Sequence, residues 1–255
     1  MAKYFYISIL CLISLASCGS YDPPASDSDA ADHQLWDILL KKYVSKEGWV
    51  NYKDWQKDRK ALKTYLQILS DNPPHESSWT QEEKLAYWIN AYNAFTIELI
   101  LDHYPLKSIT DLHPTFYVPG INTIWHKKFF KIGGIETSLD EIEHKILRTK
   151  FEEPRIHFAI VCASFSCPKL RNEAYIASKL EQQLDEQAVD FINDPKRNLV
   201  SENELEISKI FKWFKGDFTK NSSLIGFLQQ YTAVEINANA RINYLPYNWD
   251  LNSKD

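Results

Sequence analysis

The chain of 255 residues lacks the features that mark several classes of protein. It has no block of five or more like charges, and its formal net charge of −5 gives no basic footprint for a nucleic acid. It also has no glycine-rich phosphate loop, no Gly-x-Ser-x-Gly elbow and no His-Glu-x-x-His motif. We therefore expect no nucleic-acid partner and no cofactor.

The N-terminal residues predict export and a lipid anchor. Lys3, a short apolar run over residues 4–15 and small residues before Cys18 are typical of a secretory signal peptide over residues 1–17. The run is too short for a comfortable membrane span. Leu15-Ala-Ser-Cys18 resembles the bacterial lipobox, which implies cleavage before Cys18 and diacylglycerol on its sulfur. The alternative is a plain signal peptide with an incidental cysteine.

The following residues predict where the protein is held and where its domain begins. Residues 18–32 are rich in Asp, Ser, Pro and Ala and are typical of a flexible tether. Gly19 stands where an aspartate would favour the inner membrane, so we expect an outer-membrane anchor that faces the periplasm or the cell surface. Residues 33–255 contain no internal repeat or linker and predict one globular domain. The membrane, reached through lipid on Cys18, is the first expected partner.

Helical periodicity dominates the domain. Apolar residues recur at helical spacing in five segments, residues 33–44, 53–69, 80–103, 139–148 and 174–193. Short strands are predicted in a Gly133-Gly134 hairpin over residues 129–137 and at residues 199–200, 205–207 and 242–245. We expect a single α+β domain, mainly helical, with a small, mostly antiparallel sheet around a buried central helix.

Residues 80–103 form the predicted central helix, because almost no polar face interrupts their apolar residues. Thr80 and Glu83 make a capping box at its start. Asn90 and Asn93 are the exceptions, three residues apart on nearly one face. We expect their buried amides to fix the backbone of a loop. The alternative is a role as oxyanion or ligand-orienting donors in a site.

Residues 155–170 are the candidate site. The β-branched and aromatic residues from Ile156 to Val161 are typical of a core strand, which Ser164 and Pro168 are unlikely to continue. Reactive groups often lie where a rigid element becomes a loop. Cys162 is therefore the predicted nucleophile, with Ser164 beside it as a substrate-binding or oxyanion residue.

A cysteine nucleophile needs a base, and three histidines are candidates. His157 precedes Cys162 by five residues and would project from the opposite face of the predicted strand. His144 follows Asp140 by one helical turn, so we predict a triad of Cys162, His144 as base and Asp140 as orienting carboxylate. His126 and His157 are the alternative bases. The other interpretation of His144 is a surface histidine without a role in catalysis.

Cys162 and Cys167 allow several interpretations. In an oxidising envelope, two cysteines this close can form a structural or redox-sensitive disulfide. Alternatively, Cys162 is a reactive thiol, or both are inert buried thiols. Zinc held by both cysteines and two histidines is a weak option, because the spacing matches no standard finger. We therefore expect no metal.

Six ordered motifs resemble one family. They are Tyr87-Trp-Ile-Asn-Ala-Tyr-Asn-Ala-Phe95, Ser138-Leu-Asp-Glu-Ile-Glu-His144, His157-Phe-Ala-Ile-Val-Cys162, Ser166-Cys-Pro-Lys-Leu170, Ile207-Ser-Lys-Ile-Phe-Lys-Trp-Phe214 and Tyr244-Leu-Pro-Tyr-Asn-Trp-Asp250. Together they resemble the domain of unknown function 547 family over residues 35–252. The resemblance implies a bacterial envelope or secreted protein, and it implies no settled reaction.

Two functions are therefore predicted. The first is a cell-envelope lipoprotein that acts as a cysteine-dependent hydrolase or acyl or peptidyl transferase, with Cys162 and a histidine base. The second is a non-catalytic binding or scaffold lipoprotein with a structural Cys162–Cys167 disulfide. A reversible thiol redox partner is a third alternative. The ligand is expected to be a small molecule or a peptide.

Overall fold

A helix of 23 residues, α4 (Gln81–His103), lies at the centre of the fold. Its N-terminus is closed by a capping box, in which Glu83 N–H donates to the Thr80 hydroxyl and Thr80 N–H donates to the Glu83 carboxylate. Buried side chains follow one another from Leu85 to Leu101 with a single interruption at Trp88. The predicted central helix is thus confirmed, since a helix that is apolar all round belongs inside a core.

The computed structural model describes residues 30–118 and 121–254. The predicted signal peptide, Cys18, most of the tether and Pro119-Gly120 lie outside these residues. Among the described helices, none combines the length and hydropathy of a membrane span.

The remaining elements surround α4. The other helices are α1 (Gln34–Tyr43), α2 (Tyr52–Trp55), α3 (Arg59–Asp71), α5 (Arg148–Lys150), α6 (Ile156–Ala159), α7 (Leu180–Ile192), α8 (Ile210–Trp213), α9 (Lys215–Phe218) and α10 (Leu224–Gln229). A π-helix, Glu141–Leu147, runs directly into α5. The strands are β1 (Phe130–Ile132), β2 (Ile135–Thr137), β3 (Leu199–Val200), β4 (Glu204–Ile207) and β5 (Arg241–Tyr244).

The described strands form two small sheets. β1 pairs antiparallel with β2 across Gly133 and Gly134, whose φ values of 58° and 79° favour glycine. β3 pairs antiparallel with β4, and β4 pairs parallel with β5. The fold is therefore α+β and mainly helical, as predicted, with two sheets where the sequence suggested one.

Residues 156–163 run along the boundary between two apolar clusters. The first cluster surrounds α4 and includes Ile156 and the residues from Ala159 to Val161. The second is rich in phenylalanine and includes Phe158, Phe191, Phe211, Phe218 and Phe227. The chain therefore enters the candidate site fixed by packing on both sides.

The predicted core strand at residues 155–162 is wrong. Ile156–Ala159 is a single helical turn, closed by a hydrogen bond of 3.0 Å from Ile160 N–H to the Ile156 carbonyl. The segment is buried on all sides among helices, and a short apolar run of this kind has the same pattern in a strand and in a buried helix. Only the residues after Ala159 are extended, and a side chain of α4 takes the place of a neighbouring strand.

Candidate functional site

That side chain is Asn93, which is 2% exposed. Its Nδ2 donates to the Ala159 carbonyl at 2.9 Å, and its Oδ1 accepts from Val161 N–H at 2.9 Å. Asn90 makes the same pair of bonds with the Tyr175 backbone, at 2.8 and 3.0 Å. The prediction that both amides fix loop backbone is confirmed. The structure thus assigns the amide oxygen and one N–H of each asparagine to loop backbone, and the role of either residue as an oxyanion donor stays a prediction.

Asn93 holds the chain just before a tight turn, residues 162–167, which we name the thiol turn. Its second residue, Ala163, has φ of 59°, in the left-handed region that non-glycine residues seldom adopt. Cys167 N–H donates to the Ser164 carbonyl at 3.1 Å and closes the turn. Strained backbone of this kind is enriched at functional sites.

Three polar groups surround the sulfur of Cys162, a half-buried residue. The Ser164 hydroxyl lies at 3.1 Å, the Tyr247 hydroxyl at 3.3 Å and the Cys167 sulfur at 2.9 Å. Burial acts to raise the pKa of the Cys162 thiol, but hydrogen bonds from Cys167, Ser164 and Tyr247 outweigh it and lower the pKa to about 7. A substantial fraction of Cys162 is therefore thiolate at neutral pH.

Cys167 is the opposite case, with 3% of its surface exposed. Burial raises the pKa of its thiol well above the ordinary value, and the neighbouring Cys162 raises it further. Both cysteines are free in the structure, and their sulfurs are not bonded at 2.9 Å. The disulfide between them stays a prediction.

The predicted pair of Asp140 and His144 is brought together, and His126 joins it. Asp140 Oδ1 lies 3.3 Å from His126 Nε2 and 3.6 Å from His144 Nε2. Arg148 Nη1 donates to His144 Nδ1 at 2.9 Å, so the neutral ring carries its proton on Nε2, towards Asp140. Burial lowers the pKa of His144.

The complete triad is not assembled, because no described histidine hydrogen-bonds the Cys162 sulfur. The polar contacts of that sulfur are Ser164, Cys167 and Tyr247. Ser164 is thus where the sequence predicted it, beside Cys162. Tyr247 was missed, because 85 residues separate it from Cys162 in the chain.

His157 belongs to a separate group, which we name the Asp217 network (Asp217, Arg148 and His157). Its Nε2 lies 2.7 Å from Asp217 Oδ2, and its ring stacks on Phe214 at 3.9 Å. Arg148 donates to both carboxylate oxygens of Asp217, at 2.6 and 3.0 Å. The argument that excluded His157 rested on a strand that is absent. His157 nevertheless makes no hydrogen bond with Cys162, because its helical turn points it at Asp217.

Glu143 is an acidic residue that no sequence pattern marked as part of the site. It lies in the π-helix, an element often found at functional sites, and its Oε2 accepts from the Tyr92 hydroxyl at 3.3 Å. Burial and then the negative charge of Cys162 raise the pKa of Glu143 to about 7. Glu143 is therefore partly protonated at neutral pH.

Aromatic rings extend from the thiol to the surface, and we name them the aromatic wall (Tyr247, Trp213, Trp249 and Trp125). The Tyr247 ring lies 4.8 Å from Trp213 and 4.5 Å from Trp249, and Trp249 lies 5.6 Å from Trp125. Trp213 is 47% exposed. Ligand sites are lined mainly by apolar and aromatic side chains with a few polar groups, and the aromatic wall beside Cys162 has this composition.

Across the described residues, no group of three or more His, Cys, Asp or Glu side chains is arranged to hold a metal ion. Asp140 with its two histidines is the nearest approach, and Asp140 lies between the imidazoles as a charge partner.

In comparisons with known proteins, a family model matches part of the chain. Neither the curated proteins nor the solved structures gave a match. Residues 76–192 match a family described as "Protein of unknown function, DUF547". The matched segment contains α4, the π-helix and the thiol turn, whereas the motifs at residues 207–214 and 244–250 lie beyond it, and their resemblance stays a prediction. The match thus supports the family relationship with DUF547 for the segment of the chain that carries Cys162.

Proposed function

We propose that this protein is a cell-envelope lipoprotein and a cysteine-dependent hydrolase or acyl or peptidyl transferase, with Cys162 as its nucleophile. One observation carries the proposal: the thiol of the half-buried residue Cys162, with its pKa lowered to about 7 by hydrogen bonds, lies on a strained turn beside an aromatic surface. Inert structural cysteines are buried and have no such hydrogen-bond donors. The thiolate supplies the nucleophile without a histidine in contact.

The reaction begins when the Cys162 thiolate attacks the carbonyl carbon of a substrate held on the aromatic wall. A thioester forms, the carbon–oxygen or carbon–nitrogen bond breaks, and the leaving group takes a proton. Glu143, with its pKa raised to about 7, is partly protonated at neutral pH, and we assign it as the acid that supplies this proton. Water or an acceptor amine or alcohol then cleaves the thioester and restores Cys162.

An acetyl-transfer assay tests the nucleophile. The full chain is treated with p-nitrophenyl acetate, p-nitrophenolate release is followed, and peptide masses locate the acetyl group. We expect a burst of release with acetyl on Cys162, and a rate that rises through pH 7. Tyr247→Phe, which removes one hydroxyl, should move this rise to higher pH, and Tyr244→Phe in the same segment is the matched control. A Cys162→Ala variant with an undiminished burst would refute the proposal.

The lipoprotein assignment rests on the lipobox at residues 15–18. Expression with a labelled fatty acid should place the label on the mature chain, and Cys18→Ser should abolish labelling without affecting acetylation of Cys162. Label retained in the Cys18→Ser variant would contradict the anchor.

A scaffold lipoprotein with a Cys162–Cys167 disulfide is the second candidate, favoured by the 2.9 Å between the sulfurs. Counting free thiols in protein isolated without reductant separates the two. A bridge that persists in mild reductant, together with no acetylation, supports the scaffold.

A further inference from the structure

We infer that Cys162 and Cys167 form a reversible dithiol–disulfide couple that exchanges with organic disulfides, with Cys162 as the attacking thiol and Cys167 as the resolving thiol. This is a second activity of the same turn, and it does not depend on acyl transfer.

The first argument is the distance between the two sulfurs. They lie 2.9 Å apart with no bond between them, and a disulfide needs them only about 0.9 Å closer. The Cys162 N–H also donates to the Cys167 sulfur at 3.0 Å, so backbone and side chain together hold the resolving thiol in place. Oxidation therefore requires no rearrangement of the turn.

The second argument is the unequal access to the two sulfurs. Cys162 is partly exposed, whereas Cys167 is 3% exposed. Arg197 donates to the carbonyls of Cys167 at 2.7 Å and of Phe165 at 2.8 Å, which fixes this side of the turn. An external disulfide or thiol can therefore reach Cys162 only.

The third argument separates this couple from a structural disulfide. Ser164 Oγ donates to Tyr247 Oη at 3.0 Å, and the Tyr247 hydroxyl, 3.3 Å from the Cys162 sulfur, can donate to that sulfur and stabilise its thiolate. Stabilising the reduced form makes a disulfide a better oxidant, while structural disulfides resist reduction by glutathione. The strained φ of 59° at Ala163 persists only where the surrounding contacts hold it.

The chemistry balances in two steps. The Cys162 thiolate attacks R–S–S–R, a mixed disulfide Cys162–S–S–R forms, and one R–S⁻ leaves and takes a proton. Cys167 then loses its proton and attacks the Cys162 sulfur, so that the intramolecular disulfide forms and the second R–S⁻ leaves. Two electrons pass from the dithiol to the external disulfide, and two thiols with the same R group are produced.

Glutathione redox buffers test the inference on the full chain. Reduced and oxidised samples are equilibrated at several ratios of glutathione to glutathione disulfide, quenched with acid and mapped by peptide mass. Both starting states should reach the same fraction of Cys162–Cys167 disulfide, and this fraction should rise with the proportion of glutathione disulfide. In Cys167→Ser, glutathione should accumulate on Cys162 at least about tenfold above the wild-type level, because no thiol resolves it. In Cys162→Ser, Cys167 should remain unmodified, because it is buried.

Each other outcome has a defined meaning. A second experiment replaces glutathione disulfide with an unfolded protein that contains disulfides. Exchange with the unfolded protein only would identify a protein partner, and exchange with glutathione disulfide would identify a small-molecule partner. No exchange in either arm, an oxidised form that resists reduction, or glutathione on Cys167 overturns the inference. Acetylation of Cys162 without disulfide exchange would support acyl transfer and refute the redox couple. Disulfide exchange without acetylation would support the redox couple and refute acyl transfer.

Discussion

The thiol turn and the Asp217 network differ in how they hold an ionisable group, although His157 and Cys162 are only five residues apart. In the Asp217 network, Arg148 and His157 surround one carboxylate and lower the pKa of Asp217. In the thiol turn, hydroxyl and thiol donors surround Cys162, and no charged group is in contact with its sulfur.

This difference explains why His144 and His157 contact carboxylates and make no hydrogen bond with Cys162. His157 lies in contact with Asp217, and His144 lies near Asp140 and accepts from Arg148, so both histidines are parts of ion networks. Cys162 obtains its low pKa from neutral donors and from the turn. We conclude that a lowered thiol pKa in this fold does not require an imidazole beside the sulfur. The following four changes test that separation, in order of decreasing effect on the free energy of unfolding.

The largest effect is expected from removing an asparagine of α4. Asn93→Ala leaves the Ala159 carbonyl and Val161 N–H without a partner inside the core, which should cost about 3–4 kcal/mol. Asn90→Ala is the matched control, since it loses the same two kinds of bond to Tyr175. Urea unfolding should show similar losses in both variants, and the pH profile of Cys162 alkylation should change in Asn93→Ala only. Equal shifts of both profiles would mean that the thiol responds to global loosening.

Asp217→Asn should cost about 2 kcal/mol at pH 7, below the range for fully buried pairs, because the side chain is 21% exposed. The pKa of Asp217 is lowered by His157 and Arg148 despite burial. Its contribution is therefore fully present above the ordinary aspartate pKa and is lost only as pH falls through the lowered pKa of the folded state, so the difference between variant and wild type should be smaller at pH 2 than at pH 7. Unfolding at both pH values measures this. The rate of Cys162 alkylation should stay unchanged. A marked change in that rate would show that the thiol turn and the Asp217 network act as one site.

Glu143→Gln should stabilise the protein by about 1–2 kcal/mol at pH 8.5, where wild-type Glu143 is charged. Because the pKa of Glu143 is raised to about 7, its favourable contribution is present below the ordinary glutamate pKa and is lost as pH rises through 7. Variant and wild type should therefore be equally stable near pH 4. The control is Glu152→Gln, at an 88% exposed side chain, which should have no effect at either pH. A stabilisation that is independent of pH would contradict the assignment.

The smallest effect is expected at Ala163. Glycine adopts the φ of 59° found at Ala163 without strain. The loss of the methyl contacts and the greater entropy of the unfolded chain offset part of this gain, so Ala163→Gly should stabilise the protein by about 0.5 kcal/mol. Gly134→Ala, at φ of 79° with open space around it, is the reverse control and should destabilise the hairpin by about 1 kcal/mol. Thermal unfolding compares the two. Destabilisation by Ala163→Gly would show that the methyl packing exceeds the strain.

The parts of the fold that the sequence predicted are those set by local patterns. Thr80 with Glu83 marked the start of α4, and Gly133-Gly134 marked the hairpin, because capping and positive φ depend on adjacent residues. Residues 156–159 were misassigned because their apolar run fits a strand and a buried helical turn equally well.

The candidate site was predicted only where its members are close in sequence. Asp140 with His144 and Cys162 with Ser164 were found by spacing alone. Tyr247 is 85 residues from Cys162, and tertiary packing, not a local pattern, brings its hydroxyl to the sulfur. The position of the Glu143 side chain depends on a π-helix that begins at Glu141, the last residue of an ordinary capping box. No local residue marks the change from an α-helix to a π-helix.

The contact between Tyr247 and Cys162 has a consequence for biosynthesis. A ribosome that has just added Cys162 must add 85 more residues before Tyr247 exists, which takes roughly 4–17 s. Asn252, whose N–H donates to the Ala163 carbonyl, arrives later still. Until then the thiol lacks one of the donors that lower its pKa. The growing chain therefore carries a Cys162 thiol with a higher pKa than that of the folded protein, until the segment that contains Tyr247 packs against it.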